Sequence, residues 1–215
     1  MSELIRLPVP QPRAADAREA ARDRLGASVR QLLDTVVGTT ASAKDIDTAT
    51  DAIDAINGIL GANPAPRPAH DSPFHPLSLV GGSAHPLAPQ LRVEQTEDGV
   101  TGIVTLGAAF EGGPSLAHGG VLALLFDHSM GAAVYLAGYA AMTRTLDVHY
   151  LAPTPLDVEL TLDARIERVS GRRVHVHATI ATPDVVTASA DAIFVTLTSD
   201  NLARIFAVRP ADDTA

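Results

Sequence analysis

The chain has 215 residues, a formal net charge of −9 at neutral pH, and neither cysteine nor tryptophan. The absence of cysteine excludes disulfides, thiolate nucleophiles, iron–sulfur clusters and every cysteine-containing zinc site. The acidic balance argues against non-specific nucleic-acid binding and against a polybasic membrane anchor, while 46% hydrophobic residues are enough for a sizeable core.

Two amphipathic helices are predicted at the start of the chain. Apolar residues recur at helical spacing between Asp16 and Gly38, and a second stripe runs from Ser42 to Gly61. Two helices cannot bury these faces alone, so we expect them to pack on another part of the chain or to serve as a lid or docking element. Residues 61–90 contain seven prolines and three glycines, which predicts an ordered connection without regular structure.

Residues 121–142 are apolar and long enough to cross a bilayer. Asp127 near the start of this stretch and two glycines within it favour a buried helix instead, so no membrane span is expected. Residues 1–12 show no apolar run of the kind that a signal peptide needs, and we expect a cytoplasmic protein.

The periodicity changes to that of strands after Leu91. Residues 91–94 and 100–106 are strand-like, and residues 143–150, 156–169, 172–182 and 185–198 follow the buried helix, several with strict alternation. Long strands with one apolar face form an antiparallel sheet whose apolar face must pack against another element. The helix predicted at about 120–137 is apolar nearly all round, so it is the element that this sheet can cover. The sequence therefore predicts an α+β chain with the hotdog fold, in which a sheet wraps round one central helix. We expect residues 1–84 to form a helical and proline-rich extension, residues 85–202 the hotdog domain, and residues 203–215 a tail.

The segment most suggestive of chemistry joins a glycine-rich loop to the buried helix at His118, Gly119 and Gly120. Free N–H groups at a helix start, with the positive end of the helix dipole, stabilise an oxygen that develops negative charge. Asp127 is the only acidic residue between Gly119 and Thr143, and a carboxylate in so apolar a run needs solvent or a partner. We therefore expect Asp127 to lie at a cleft.

His118 and Asp127 are nine residues apart, or roughly 13 Å along a helix. They cannot both reach one reacting carbonyl within a single chain. If both are catalytic, the site lies between two subunits, and a two-fold dimer contains two such sites. We expect a homo-oligomer, either a dimer or a dimer of dimers.

The motif FEGG-x4-HGG-x6-D, from Phe110 to Asp127, resembles the hotdog acyl-CoA thioesterases of the phenylacetate-pathway type. It is most similar to the branch that includes the mammalian thioesterase superfamily member 4 and 5 proteins. The strand TRTLDVHYLAP, residues 143–153, resembles the family's strand after the helix, which ends in a similar Tyr-x-x-Pro. The resemblance covers about residues 85–200.

This resemblance implies hydrolysis of an acyl-CoA thioester. The Gly119 N–H is expected to polarise the carbonyl with help from His118, while Asp127 acts as general base on water or attacks directly. Thr143 is expected to hold the water. Gly120 and Gly112 are expected near the substrate, although some relatives carry Asn where this chain has Gly112. His118 also fits a simple helix cap, and Thr143 a plain strand former.

Coenzyme A needs cations for its phosphates, and the candidates are Arg144, Arg172 and Arg173. No metal or organic cofactor is expected, because His175 and His177 share a strand face without a third ligand at a clear spacing. A second hypothesis is a non-hydrolytic hotdog protein that binds acyl-CoA or a fatty acyl chain. A hotdog enoyl-CoA hydratase is less favoured, because residues 108–120 supply Glu111 and His118 without an intervening Asn.

Overall fold

The computed structural model describes residues 16–62 and 72–198. Helix α1 spans Ala17–Val37 and helix α2 spans Ala43–Gly61. Both begin at the predicted residues, because the side chains of Asp16 and Ser42 accept hydrogen bonds from N–H groups in the first turns of their helices. The predicted tail at residues 203–215 lies outside the described residues.

Only the first of these two helices packs firmly on the rest of the chain. Gly26 of α1 is buried, and a Cβ at this position would lie 2.7 Å from the carbonyl oxygen of Ala84. Arg30 donates from its guanidinium to the carbonyl of His85 at 2.8 Å. No residue of α2 is buried, and its apolar stripe, including Ile56 and Leu60, is exposed. The packing expected of both helices is therefore found for α1 alone.

Residues 72–90 connect the helices to the sheet through a series of turns. Val80, Ala84 and Ala88 are buried, so this segment covers part of the core, as an ordered connection should. Ser83 donates to Asp23 of α1 at 2.8 Å, which adds a second link between the connection and the helix.

The strands of the described residues are β1 Arg92–Gln95, β2 Gly99–Thr105, β3 Glu111–Gly113, β4 Leu116–Ala117, β5 Ala141–Tyr150, β6 Glu159–Ser170, β7 Arg173–Ala181 and β8 Val186–Thr196. Six of them form one antiparallel sheet in the order β1-β2-β6-β7-β8-β5, and the short strands β3 and β4 form a separate hairpin. In this part of the chain β5 therefore has a neighbour on one side only and lies at the edge of the sheet.

Helix α3, Gly119–Leu136, lies against the inner face of this sheet. Leu125, Phe126 and Met130 are fully buried there, together with inward-facing strand residues such as Leu160 and Leu162. Alternation along the strands directs their apolar side chains to the helix, as the pattern predicts. By length and composition α3 is the one described helix apolar enough to cross a membrane, but it serves here as the core helix of the domain. The α+β class and the hotdog arrangement are thus confirmed.

The segment between β2 and α3 contains structure that periodicity did not predict. A single 3₁₀ turn at Ala108–Phe110 is followed by the β3–β4 hairpin, which ends one residue before His118. Elements of two or three residues are too short to show a period, so they are recognisable only from their hydrogen bonds. This hairpin fixes where the chain enters α3.

Candidate active site

His118 is the N-cap of α3, and its carbonyl oxygen accepts the first regular hydrogen bond of the helix, from the Leu122 N–H at 3.3 Å. Four N–H groups at a helix start have no such regular partner, and three of them are occupied here. The Gly120 N–H donates to His118 Nδ1 at 2.9 Å, and the Val121 N–H donates to the His118 carbonyl oxygen at 2.8 Å. The N–H of His118 itself donates to the carbonyl of Phe110 at 2.9 Å.

The fourth is the N–H of Gly119, which has no hydrogen-bond acceptor in the part of the chain that the structure describes. This N–H stands at the positive end of the α3 dipole. A backbone donor of this kind, fixed before the reaction, stabilises negative charge as it develops on a carbonyl oxygen. The group that the sequence analysis expected to polarise a carbonyl, the Gly119 N–H, is thus a donor without a partner among the described residues.

The hydrogen bond from the Gly120 N–H also determines which ring nitrogen of His118 carries the proton. Because Nδ1 accepts a hydrogen bond, the neutral imidazole carries its proton on Nε2. The ring can therefore donate from Nε2 to a ligand at the mouth of the helix. In this way His118 is both the helix cap and a second potential donor, so the two interpretations of this residue are compatible.

Gly112 lies in the hairpin directly against His118. A Cβ at position 112 would be 2.7 Å from the Cα of His118, which no ordinary packing tolerates. The backbone N–H of His118 donates to the carbonyl of Phe110 at 2.9 Å, which holds the hairpin in place. Gly112 therefore provides a close approach of two backbones, where the Asn of some relatives would need more room.

Asp127 lies on α3 and is partly exposed, while its neighbours Leu125 and Phe126 are fully buried. The hydroxyl of Thr143, near the start of β5, donates to Asp127 Oδ1 at 2.7 Å. A hydrogen bond to a carboxylate is shorter and stronger than a neutral one, so it fixes the orientation of the acid. The structure thus brings together two residues that the sequence separates by sixteen positions.

One subunit does not bring the two halves of the expected site together. Asp127 is anchored near the start of β5 by Thr143. Gly119 lies at the other end of this strand, where the hydroxyl of Tyr150 donates to the Gly119 carbonyl oxygen at 2.9 Å. The separation expected from helical spacing is therefore reproduced in the folded chain.

His128, next to Asp127 on α3, is largely buried. It lies beside Gly81 of the proline-rich connection, where a Cβ would be 3.6 Å from its Nε2. Burial lowers the pKa of His128 to about 4, although the negative charge of Asp127 acts in the opposite direction. His128 is thus a neutral packing residue at ordinary pH.

The three candidate arginines occupy one end of the sheet but differ in their contacts. Arg172 donates from Nε and one Nη to the carbonyl oxygen of Thr196, at 3.1 and 2.8 Å, and so links the β6–β7 turn to the end of β8. Arg173 is exposed at the start of β7. Arg144 is also exposed, at the register shift of β5 between Thr143 and Thr145. Unlike Arg172, neither Arg144 nor Arg173 makes a side-chain hydrogen bond or ion pair with another described residue, so both guanidinium groups are available to a ligand.

The histidines of β7 are engaged with other strands. His177 Nδ1 is 2.9 Å from Asp191 Oδ1 on β8, and His175 Nδ1 is 3.3 Å from an Nη of Arg168 on β6. Within residues 16–62 and 72–198, no group of three or more His, Asp or Glu side chains is arranged to hold a metal ion.

Two residues that contribute to this region are not assigned these contacts by the sequence. Tyr150 is part of the Tyr-x-x-Pro pattern and one of several aromatic residues that could stack on an acyl group, but the sequence does not predict its contact with Gly119. Asp34 of α1 accepts a hydrogen bond from the Ala109 N–H at 2.9 Å and so anchors the 3₁₀ turn that leads to the hairpin. Nothing local marks either residue, because both act through contacts with residues at least thirty positions away.

Comparison with known proteins agrees with this fold. The family model described as the thioesterase superfamily matches residues 115–189. Acyl-coenzyme A thioesterase THEM4 of Xenopus laevis is 37% identical over 94 residues, which cover 42% of each protein. Acyl-coenzyme A thioesterase THEM5 of Mus musculus is 29% identical over 93 residues, or 42% of this chain and 38% of that protein. The match thus spans about two fifths of the length of these curated relatives.

A crystal structure described as a thioesterase superfamily protein is similar over nearly its whole length. It superimposes with a TM-score of 0.74 at 31% identity, and the match covers 86% of this chain and 97% of that one. The similarity therefore extends beyond the residues that the family model matches.

Proposed function

The chain belongs to the thioesterase superfamily, and we propose that it is an acyl-CoA thioesterase, which hydrolyses an acyl-CoA to a free acid and coenzyme A. The observation that carries the proposal is the unpaired Gly119 N–H at the start of α3, in a protein whose only acid on this helix is Asp127. The Gly119 N–H can stabilise the oxygen of a thioester carbonyl, and the Asp127 carboxylate can take a proton from water. The thioester and water are the two reactants of the hydrolysis.

The complete site forms between two subunits in this proposal. β5 is a ten-residue strand with one unpaired edge in the described structure, and such an edge is a ready template for pairing with a second chain. Antiparallel pairing of two β5 strands about a two-fold axis sets the start of one strand against the end of the other. Asp127 and Thr143 of one subunit then approach Gly119 and His118 of its partner, twice per dimer.

The chemistry follows from this arrangement. The thioester carbonyl oxygen accepts hydrogen bonds from the Gly119 N–H and from His118 Nε2–H. In one route Asp127 takes a proton from water as the water oxygen bonds to the carbonyl carbon, the carbon–sulfur bond breaks, and the proton passes from Asp127 to the coenzyme A thiolate. In the other route the carboxylate of Asp127 attacks the carbonyl carbon, and the carbon–sulfur bond breaks to leave an anhydride and the thiolate. Water then hydrolyses the anhydride, which frees the acid and Asp127, and a proton of that water passes to the thiolate. Thr143 holds the carboxylate, and the water where water attacks, in position.

Arg144 and Arg173 are proposed to bind the phosphates of coenzyme A. Arg173 and Met142 both pair with Val195, so Arg173 is two strands, or about 10 Å, from the start of β5. Arg144 lies two residues beyond Met142. Both cations therefore lie at the end of the sheet near Asp127, which supports a binding site for the nucleotide portion of the substrate on that side.

Residues 85–202 form the catalytic unit in this proposal, and residues 1–84 an extension that supports it through the contact of Asp34 with Ala109. We also propose a cytoplasmic location, since the apolar helix α3 packs against the inner face of the sheet as the core helix of the domain.

The first test is thiol release from a panel of acyl-CoAs that differ in chain length and in aromatic character. Hydrolysis of at least one member is expected. Tight binding of acyl-CoA without thiol release would instead establish the non-hydrolytic alternative.

The inter-subunit site is tested by mixing two inactive variants, Asp127→Asn and His118→Ala. A mixed dimer then has one site with both changes and one site with neither. After co-refolding, about a quarter of the wild-type activity is expected, because half of the dimers are mixed and each has one intact site of two. No recovery on mixing would place the whole site within one subunit.

A further inference from the structure

Tyr150 makes two separate contacts with the residue that carries the unpaired donor. Its hydroxyl donates to the Gly119 carbonyl oxygen at 2.9 Å. Its ring also covers the Cα of Gly119, because a Cβ at position 119 would lie 3.2 Å from the ring atoms Cε1 and Cζ and from the hydroxyl oxygen. Tyr150 is the last residue of β5 and is 56% exposed, so burial in the core of this subunit does not explain its position.

The loop that follows Tyr150 holds the other side of His118. The carbonyl of Thr154 accepts from the Ala117 N–H at 2.9 Å, and the Leu156 N–H donates to the Ser115 carbonyl at 3.1 Å. One connection, from the end of β5 to β6, therefore contacts the chain both before and after His118. Of these contacts, only that of Tyr150 falls on the helix side, at the residue whose N–H is free.

Glycine at position 119 has no side chain to restrict its dihedral angles, so its conformation must be fixed by its surroundings. A donor for a developing oxyanion is effective only if it is oriented before the reaction begins. The hydrogen bond to the Gly119 carbonyl and the ring over its Cα restrain rotation about the backbone bonds on either side of this Cα, and so the direction of the N–H. We infer that Tyr150 is the positioning residue for the Gly119 N–H, an inference that rests on the role proposed above for Gly119.

The kinetic test compares Tyr150→Phe and Tyr150→Leu with wild type on the acyl-CoA that wild type hydrolyses fastest. Tyr150→Phe keeps the ring and loses the hydrogen bond, so kcat is expected to fall about 3- to 10-fold while KM stays within about twofold. Tyr150→Leu removes both contacts and is expected to lower kcat further. Asp163→Asn, an exposed change on β6 and away from the edge strand β5, is the control and is expected to keep wild-type kcat.

A double-mutant cycle tests the contact itself. Gly119→Ala adds a methyl group against the Tyr150 ring, so its cost in kcat is expected to be at least threefold larger in wild type than in Tyr150→Leu. Equal costs in both backgrounds would overturn the inference. So would a wild-type kcat for Tyr150→Phe, or a fall in kcat accompanied by an equal loss of dimer or of thermal stability.

Nuclear magnetic relaxation gives a readout that does not require turnover. The order parameter of the Gly119 N–H bond is expected to fall from about 0.85, the value of rigid backbone, towards about 0.6 in Tyr150→Phe, while the order parameters of β7 amides stay unchanged. An unchanged order parameter at Gly119 would contradict the positioning role even in a protein that hydrolyses no acyl-CoA. Failure of this inference is thereby separated from failure of the proposed function, which shows as inactivity of the wild type.

Discussion

Thr143 Oγ1 donates a hydrogen bond of 2.7 Å to Asp127 Oδ1 and so ties the edge strand β5 to the core helix α3. The contact orients a carboxylate that would otherwise rotate freely at a partly exposed position. It occupies one oxygen of the carboxylate and leaves the other free to accept a proton. This pair supports the assignment of Asp127 as the base.

Asp127→Asn is expected to lower kcat by about 10²–10⁴-fold, because an amide cannot accept a proton from water at neutral pH. The measurement is steady-state thiol release, with the melting temperature recorded in parallel. Asp163→Asn, on the exposed side of β6, is the matched control and should retain full activity. Full activity in Asp127→Asn would remove this residue from the mechanism.

Thr143→Val is expected to reduce kcat about tenfold, whereas Thr143→Ser should recover most of the activity. Valine keeps the shape of threonine but cannot donate to Asp127, and a hydrogen bond to a charged group contributes about 1.5–3 kcal/mol. Comparison of the two variants on one acyl-CoA measures the effect of the hydroxyl alone. Equal activity in the two would show that Thr143 serves only as a strand residue.

Arg144→Gln and Arg173→Gln are each expected to raise KM for acyl-CoA several-fold while kcat changes little. The reason is that phosphate contacts remote from the thioester contribute to binding in the ground state and in the transition state alike. The same acyl group on pantetheine, which has no phosphate, provides the control substrate. If the variants are equally impaired with acyl-pantetheine, the arginines do not bind phosphate.

Gly26→Ala is expected to destabilise the packing of α1 on the domain by about 1–3 kcal/mol, because the added methyl would lie 2.7 Å from the Ala84 carbonyl oxygen. Gly58→Ala in α2 is the matched control, since nothing lies within 4 Å of a Cβ there. That variant is expected to be neutral or to gain stability, by up to about 1 kcal/mol of helix preference. Urea denaturation followed by circular dichroism distinguishes the two.

The free energy of unfolding is expected to fall as pH drops from about 6.5 towards 4. The pKa of His128 is lowered to about 4 by burial, so across this window the unfolded chain binds a proton that the native protein excludes. Above the unfolded-state pKa of about 6.5, His128 is neutral in both states and the free energy of unfolding is unaffected. Between that pKa and the folded-state pKa of about 4, the free energy of unfolding falls by at most about 3 kcal/mol. In His128→Gln this part of the pH dependence should disappear, and a profile identical to wild type would contradict it.

Much of the fold was predictable because its signals are local. The caps at Asp16 and Ser42, the strand alternation from β6 to β8 and the apolar run of α3 each lie within a few turns or strand residues. The hairpin before His118 was not predicted, because strands of two or three residues are too short to show a period. The exposure of the α2 stripe was not predictable either, since amphipathic spacing identifies an apolar face without identifying what covers it.

The sequence by itself determined the class of fold, the helix start at His118, and the separation of Gly119 from Asp127 along α3, because helical rise and strand alternation depend only on residues close together in the chain. Tertiary structure alone decided which N–H remains unpaired, which hydroxyl binds Asp127, and that Tyr150 covers Gly119. Those contacts join residues from different elements. Their existence depends on how strands align in the sheet and how the sheet meets the helix, which no local pattern in the chain records.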